Sequence, residues 1–153
     1  MKKSFGFIIL AIFVSCNTAN QNNKTETPSI RGTWKLLTGT LIDKKDTVVT
    51  DYTKGKEFIK IINGDHFAFL SHDLPKKITD SSFSAGGGKY SLNGNQYTEY
   101  LQYCNDRQWE GNEFHFTVDI HSDTLIQTGV EKIDSLGINR LNIEKYLRVK
   151  KHD

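Results

Sequence analysis

The sequence predicts an all-β domain that closes into an antiparallel, up-and-down barrel of eight strands, with eight to ten as the range. From residue 30 onward apolar and polar side chains alternate with a period of two, and no window long enough for a secure helix repeats apolar residues with helical spacing. Turn-forming residues at 63–65, 93–95 and 122–123 separate the alternating segments, as tight hairpins require. An open meander of strands exposes two sheet edges, and closure into a barrel removes them.

The first sixteen residues have the layout of an export signal, in which Lys2 and Lys3 precede an apolar run over residues 5–14 and then Cys16. That run is too short to span a bilayer comfortably, so a membrane-spanning helix is the less favoured interpretation. The stretch FVSC at residues 13–16 resembles the lipobox of bacterial lipoproteins. The resemblance implies lipidation of Cys16 and anchoring to a membrane of the cell envelope, and ordinary secretion is the alternative.

A polar segment follows the signal. Residues 17–29 are rich in Asn and Thr and contain Pro28, so we expect a disordered tether with a reach of about 20 Å. Cys16 and Cys104 are the two cysteines of the sequence. If Cys16 carries lipid, Cys104 is a lone thiol and the fold depends on core packing; if the signal is cut elsewhere, a bridge between the two is the alternative.

The domain itself is expected over residues 30–150. Eight strands are predicted, at residues 31–42, 57–62, 66–72, 83–92, 96–104, 113–121, 124–132 and 140–150. A ninth strand at residues 47–52 is an alternative to a long loop over one end of the sheet. An eight-stranded barrel has an interior that side chains can fill or that can hold one small ligand.

The alternation also predicts which side chains point into the barrel. The clearest pattern gives the interior face of one strand to Phe114, Phe116, Val118 and Ile120. The preceding strand is assigned an interior face made of Tyr97, Glu99, Leu101 and Tyr103, and Phe67 and Phe69 are expected to join it. Glycines at 86–88 interrupt another strand and predict a bulge or sharp bend, since no helix follows that would make them a phosphate-binding loop.

Two ends of the domain carry a family resemblance. Gly32-Thr33-Trp34 resembles the G-x-W motif that opens the first strand in lipocalins and their calycin relatives, and the stretch at 86–100 is similar to the middle strands of small lipocalin-like domains in exported bacterial proteins. In lipocalins an Arg near the end of the last strand packs over the Trp at the closed end of the barrel. Arg148 stands in the matching place, and Arg140 is a weaker candidate. A sheltered guanidinium on an indole face gains roughly 1–2 kcal/mol.

The resemblance implies a protein that binds a small apolar or amphipathic molecule and needs no cofactor. The candidate ligand-binding residues are those expected inside the barrel or at its mouth: Tyr97, Glu99, Tyr103, Trp109, Phe67, Phe69 and Phe116. Two alternatives stay open. One is a structural or protein-interaction barrel whose interior is filled, and the other is an acid–base enzyme centred on Glu99 with its neighbouring tyrosines.

Glu99 is the most informative of these residues, because burying a carboxylate inside a barrel costs folding free energy unless the carboxylate is paired. The sequence offers four partners for it: Tyr97, Tyr103, Arg107 and Arg148. Such a pair either recognises a polar group of the ligand or satisfies itself.

Other chemistry-bearing residues favour structural interpretations. His66 and His72 share a strand face, as do His115 and His121, but residues six apart on a strand are about 20 Å apart, so no metal site is predicted and a single-His haem site is a minor alternative. Cys104 is interpreted as a small apolar residue at a strand end, because no nucleophile motif or neighbouring base accompanies it.

The charge balance argues against nucleic acid as a partner. Without Lys2 and Lys3 the chain holds 18 basic and 18 acidic residues, and no run of Lys or Arg exceeds two. A near-neutral domain offers no electrostatic footprint for phosphate backbones.

Overall fold

The computed structural model describes residues 29–74 and 82–150. The predicted signal, the lipidation site at Cys16 and residues 17–28 of the predicted tether lie outside these ranges. Nine strands account for most of the described residues: β1 (Gly32–Asp43), β2 (Asp46–Asp51), β3 (Lys56–Ile62), β4 (His66–Asp73), β5 (Phe83–Asn93), β6 (Gln96–Cys104), β7 (Glu113–His121), β8 (Thr124–Ile133) and β9 (Ile138–Arg148). Two single-turn 3-10 helices, Arg107–Trp109 and Asp134–Leu136, lie in the connections.

The strands form one antiparallel sheet that closes on itself. Each strand from β3 to β8 pairs with the next one along the chain, and β1 pairs with both β3 and β9. The predicted eight-stranded, up-and-down barrel is therefore confirmed, with β2 as an extra strand. The first part of β1, Gly32–Lys35, pairs with β3, and its second part, Thr38–Asp43, pairs with β2. β2 therefore replaces β3 as the neighbour of β1 towards the end of that strand. The segment predicted to be either a ninth strand or a long loop, residues 47–52, is therefore a strand, β2, at Asp46–Asp51.

Local sequence sets the tight connections. The β5–β6 and β7–β8 reversals use positive φ angles at Gly94 (61°) and Ser122 (53°), as the turn residues predict. The reversal at residues 63–65 works differently. Asn63 Oδ1 accepts hydrogen bonds from the backbone N–H groups of Asp65 at 3.1 Å and His66 at 3.0 Å, so a side chain closes this turn without a positive φ at Gly64.

The predicted pairing of Trp34 with Arg148 closes one end of the barrel. Trp34 is fully buried, its Nε1 donates to the Ile30 carbonyl at 2.7 Å, and the Arg148 guanidinium lies 4.0 Å from the centre of its ring. Arg148 also donates to the backbone carbonyls of Arg31 at 2.8 Å and Ser29 at 2.6 Å. This end, where β1 begins and β9 ends, is called the closed end below, and the opposite end is called the mouth.

Gly32 is required at this end by its neighbours. Its φ is 144°, and a Cβ built on it would lie 2.7 Å from Nη1 of Arg148. A side chain at position 32 would therefore displace the guanidinium that covers Trp34. The G-x-W motif thus has a local physical reason for its glycine.

Most interior side chains follow the predicted alternation. Phe114, Phe116 and Val118 of β7 are buried and join Tyr97 and Leu101 of β6 in one core. Phe67 is buried, and Phe69 packs against the same core. Trp34, Leu36, Leu125 and Tyr146 complete the core towards the closed end, all of them 0–1 % exposed.

The assignment of Tyr103 to the interior is wrong. A register shift between β5 and β6 pairs Gly88 with Leu101 but Gly87 with Tyr103, so one extra residue of β6 is inserted at this point. Since side chains alternate with a period of two, the insertion turns Tyr103 to the outside, where its side chain is 68 % exposed. It borders a shallow outer groove over β4 and β5.

The predicted irregularity at the glycines is confirmed, and it predicts a mutational effect. A Cβ at Gly88 would clash with the Tyr100 carbonyl oxygen and lie 2.8 Å from the Gln102 N, both backbone atoms that cannot rotate away. We expect Gly88→Ala to lower the free energy of unfolding by about 1–3 kcal/mol, the usual range for overpacking. Gly64→Ala is the matched control, because nothing lies within 4 Å of its added Cβ. Equal urea midpoints for the two variants would contradict this account of the bulge.

Candidate functional site

A cavity of about 340 Å³ occupies the mouth half of the barrel interior. Its walls are mainly apolar and aromatic, from Phe58, Phe69, Leu101, Trp109, Phe114 and Phe116. Phe58 and Phe69 stack at 5.7 Å between ring centres, and Trp109 lies 5.9 Å from Phe114. Small-molecule sites commonly have volumes of roughly 300–1,000 Å³ with such walls.

Charged residues lie at the inner end of this cavity. The ammonium of Lys60, only 2 % exposed, donates to Glu99 Oε1 at 2.8 Å and to Gln127 Oε1 at 3.0 Å, and it lies 3.6 Å from Glu144 Oε2. Glu144 Oε2 also accepts a hydrogen bond from the Tyr146 hydroxyl at 2.7 Å. Lys60, Glu99, Gln127, Glu144 and Tyr146 are called the polar floor below.

The polar floor stabilises the protonated form of Lys60. Burial alone lowers the pKa of Lys60, but the carboxylates of Glu99 and Glu144 outweigh it and raise that pKa above the ordinary lysine value. Burial also raises the pKa of Glu99, an effect that Lys60 opposes and the Glu144 charge reinforces. The floor therefore contains two carboxyl groups and one ammonium.

The two buried tyrosines beside the floor differ in one hydrogen bond. The hydroxyl of Tyr97 is the one buried side-chain polar atom in residues 29–74 and 82–150 without a hydrogen-bond partner within 3.5 Å, although it lies close enough to Glu99 to lower the pKa of that carboxyl. Burial raises the pKa of both Tyr97 and Tyr146, and the nearby carboxylates of Glu99 and Glu144 add to the effect. Both phenols are therefore neutral across the physiological range.

This difference predicts opposite outcomes for two otherwise identical substitutions. Tyr97→Phe removes an unpaired buried hydroxyl, so we expect the free energy of unfolding to be unchanged or higher by up to about 1 kcal/mol. Tyr146→Phe removes the donor to Glu144 and leaves that carboxylate less satisfied, so we expect a loss of about 1–2 kcal/mol. Urea unfolding at neutral pH measures both. A larger loss for Tyr97→Phe than for Tyr146→Phe would contradict the assignment.

A second polar group lies nearer the mouth. Glu131 accepts from Arg140 Nε at 2.7 Å and from Asn142 Nδ2 at 2.8 Å. The Arg140 guanidinium also lies 5.5 Å from the centre of the Trp109 ring. Glu131 is thus paired with a cation of its own, and Arg140, offered by the sequence as a weaker cover for Trp34, instead packs on the other tryptophan.

The structure brings some of the sequence-predicted ligand residues together and separates others. Glu99, Phe69, Phe116 and Trp109 line the cavity. Tyr97 and Phe67 are buried in the core and are not part of its lining. Tyr103 lies on the outer surface, so its expected place in the binding site is not supported by the geometry.

The ion-pair partner of Glu99 is not among the four residues that the sequence offers, although one of the four, Tyr97, lies close enough to lower the pKa of the Glu99 carboxyl. Arg148 covers Trp34, Arg107 pairs with Glu110 at 2.8 Å and is largely exposed, and Tyr103 faces out. Lys60 is the partner. A signal for it exists in β3, because Phe58, Lys60 and Ile62 share a strand face and two apolar residues flank the lysine there.

The four histidines that the structure describes, at positions 66, 72, 115 and 121, have exposed side chains, as the sequence predicts. His66, His115 and His121 pair with Asp65, Thr98 and Asp119 on the outside of the barrel. Within the described ranges, no group of three or more His, Cys, Asp or Glu side chains is arranged to hold a metal ion. Cys104 is partly buried at the cavity wall, and burial raises the pKa of its thiol, so the thiol is not activated.

Fold and cavity together define a class: a closed eight-stranded antiparallel barrel with an internal cavity open at one end. No protein-family model and no curated protein matches this chain. Among the residues that the structure describes, no helix has the length and apolar character needed to cross a membrane.

Proposed function

We propose that the protein binds one small amphipathic molecule inside its barrel, with the apolar part against the aromatic walls and the polar part towards the polar floor. The observation that supports this most strongly is the cavity of about 340 Å³, which combines apolar walls with converging polar groups. The alternative of a structural or interaction barrel with a completely filled interior would not leave this space. The proposal includes kinship with lipocalins, supported by the covered Trp34 and the barrel closure.

We also propose that the domain acts at the cell envelope, anchored through lipid on Cys16. The support is the sequence of the first sixteen residues. Intact-mass measurement of the protein recovered from bacterial membranes tests this proposal. The expected mass includes acyl chains on a chain that begins at Cys16, and a mature protein without acyl chains at Cys16 would refute the anchor while leaving the cavity proposal intact.

Tryptophan fluorescence tests the binding proposal, because the two tryptophans lie at opposite ends of the barrel. Trp109 lines the cavity, whereas Trp34 is fully buried at the closed end. Titration with octanol as a neutral amphiphilic probe should give a saturable change in emission. Trp109→Phe should lose that change and still bind octanol in calorimetry. A response that never saturates, or one that persists in the Trp109→Phe variant, would reject binding in this cavity.

A further inference from the structure

We propose that the molecule bound in this cavity is an organic cation, an amine with an apolar body, and that the polar floor is its recognition site. The inference rests on the proposed function and adds the chemical class of the ligand. It is argued from the charges that line the cavity and from their contacts.

The cavity is lined by more carboxylates than cations. Glu99, Glu131, Glu144 and Asp106 contribute acidic side chains, and Lys60 contributes the one ammonium in the lining. Arg140 neutralises Glu131 through its 2.7 Å contact. The polar floor therefore has two carboxyl groups that face a single lysine.

Lys60 is poorly placed to serve both carboxyl groups. Its ammonium is within hydrogen-bond distance of Glu99, at 2.8 Å, and of the Gln127 carbonyl oxygen, at 3.0 Å. Its 3.6 Å separation from Glu144 is too long for a hydrogen bond. Glu144, with 15 % of its side chain exposed, is thus the carboxylate best placed to receive a second cation from the cavity.

The walls fit the same class of ligand. Phe58, Phe69, Trp109, Phe114 and Phe116 present aromatic surface, which attracts cations through its electron-rich faces as well as burying apolar groups. A carboxylate ligand would instead approach Glu99 and Glu144 in a site of low dielectric constant, where like charges repel strongly.

A matched series of probes tests this proposal with the whole protein. Octylamine, octanol and octanoate share one apolar chain and differ in the charge of the head group. Isothermal titration calorimetry at neutral pH should show octylamine binding at least about tenfold more tightly than octanoate, with octanol between them; tenfold corresponds to about 1.4 kcal/mol. Equal affinities, or tighter binding of octanoate, would overturn the cation proposal and leave the proposed function standing. Failure of all three to bind would overturn both.

Substitutions of the floor carboxylates test which residues cause the preference for octylamine. Glu144→Gln keeps an acceptor for the Tyr146 hydroxyl but removes the charge, so it should lower octylamine affinity about fivefold to tenfold and leave octanol affinity unchanged. Glu99→Gln should act in the same direction and provides a second test if the first variant fails to fold. Glu113→Gln is the matched control, because Glu113 is exposed and is not part of the cavity lining. An equal loss in Glu113→Gln, or no loss in either cavity variant, would refute recognition by the polar floor.

Discussion

Lys60→Met is expected to lower the free energy of unfolding by about 3–5 kcal/mol, since it leaves buried carboxylates without their cation. The methionine fills much of the volume of the lysine stem, so the loss comes from charge and not from a void. Glu99 and Glu144 would then face each other across the polar floor with Gln127 and Tyr146 as their remaining polar neighbours. Urea unfolding at neutral pH measures the effect.

Lys35→Met is the matched control for this experiment. Lys35 makes an ion pair of similar length, 3.0 Å to Glu57 Oε1, but its side chain is 40 % exposed. Exposed pairs contribute about 0–1 kcal/mol, so this variant should lose little stability. The double variant Lys60→Met/Glu99→Gln should recover part of the lost stability. Similar losses for the two single variants would contradict a buried charge cluster.

The dependence on pH provides an independent check. The carboxylates raise the pKa of Lys60 above its ordinary value of 10.5, so the folded state holds this proton more tightly than the unfolded chain does. Its contribution to stability is complete below pH 10.5 and is lost as the pH rises through the folded-state pKa. Wild-type stability should therefore fall more steeply above pH 10.5 than that of Lys60→Met. Parallel curves would mean that Lys60 is not paired in this way.

Trp34→Ala is the second substitution expected to have a large effect, about 3–5 kcal/mol. The fully buried indole fills the closed end, donates to the Ile30 carbonyl and supports the Arg148 guanidinium. Its removal leaves a cavity and frees the segment before β1. Trp34→Phe should cost less, because it keeps an aromatic surface and loses only the hydrogen bond and part of the volume.

Trp109→Ala is the control for Trp34→Ala, because it removes a tryptophan from the other end of the barrel. Trp109 is partly exposed at the mouth and packs on Phe114 and Arg140. We expect its removal to lower stability by less than half as much as Trp34→Ala does. If Trp109→Ala were the more destabilising variant, Trp34 would not be the closing residue of the barrel.

Much of the fold can be predicted from the sequence, because buried and exposed side chains alternate along most of its strands. In β7 the buried phenylalanines alternate with polar residues, and turn residues at 93–95 and 122–123 set the hairpins. The Trp34–Arg148 contact is predicted from residues 114 positions apart only through a family resemblance. The eight-strand closure follows from the need to satisfy sheet edges.

The site is less predictable, because its polar residues lie on strand faces that point into the barrel, where alternation leads one to expect apolar residues. In β9 the polar side chains of Asn142 and Glu144 point into the barrel while Leu147 is exposed, the reverse of the pattern in β7. Alternation reveals the two faces of a strand, but it does not identify the interior face when both are mixed. Alternation therefore does not reveal Lys60 as an interior residue. It assigns Tyr103 to the wrong face, because a single inserted residue in β6 exchanges the two faces.

The most direct test of the central claim, that the mouth half of the barrel is a ligand site, is amide NMR of the labelled protein during titration with octylamine. The account predicts saturable shifts for Leu101, Phe114 and Asn142, which surround the cavity, and none for Trp34 or Leu125 at the closed end. Shifts confined to the outer groove beside Tyr103 and Leu70, or no saturable shifts, would contradict it.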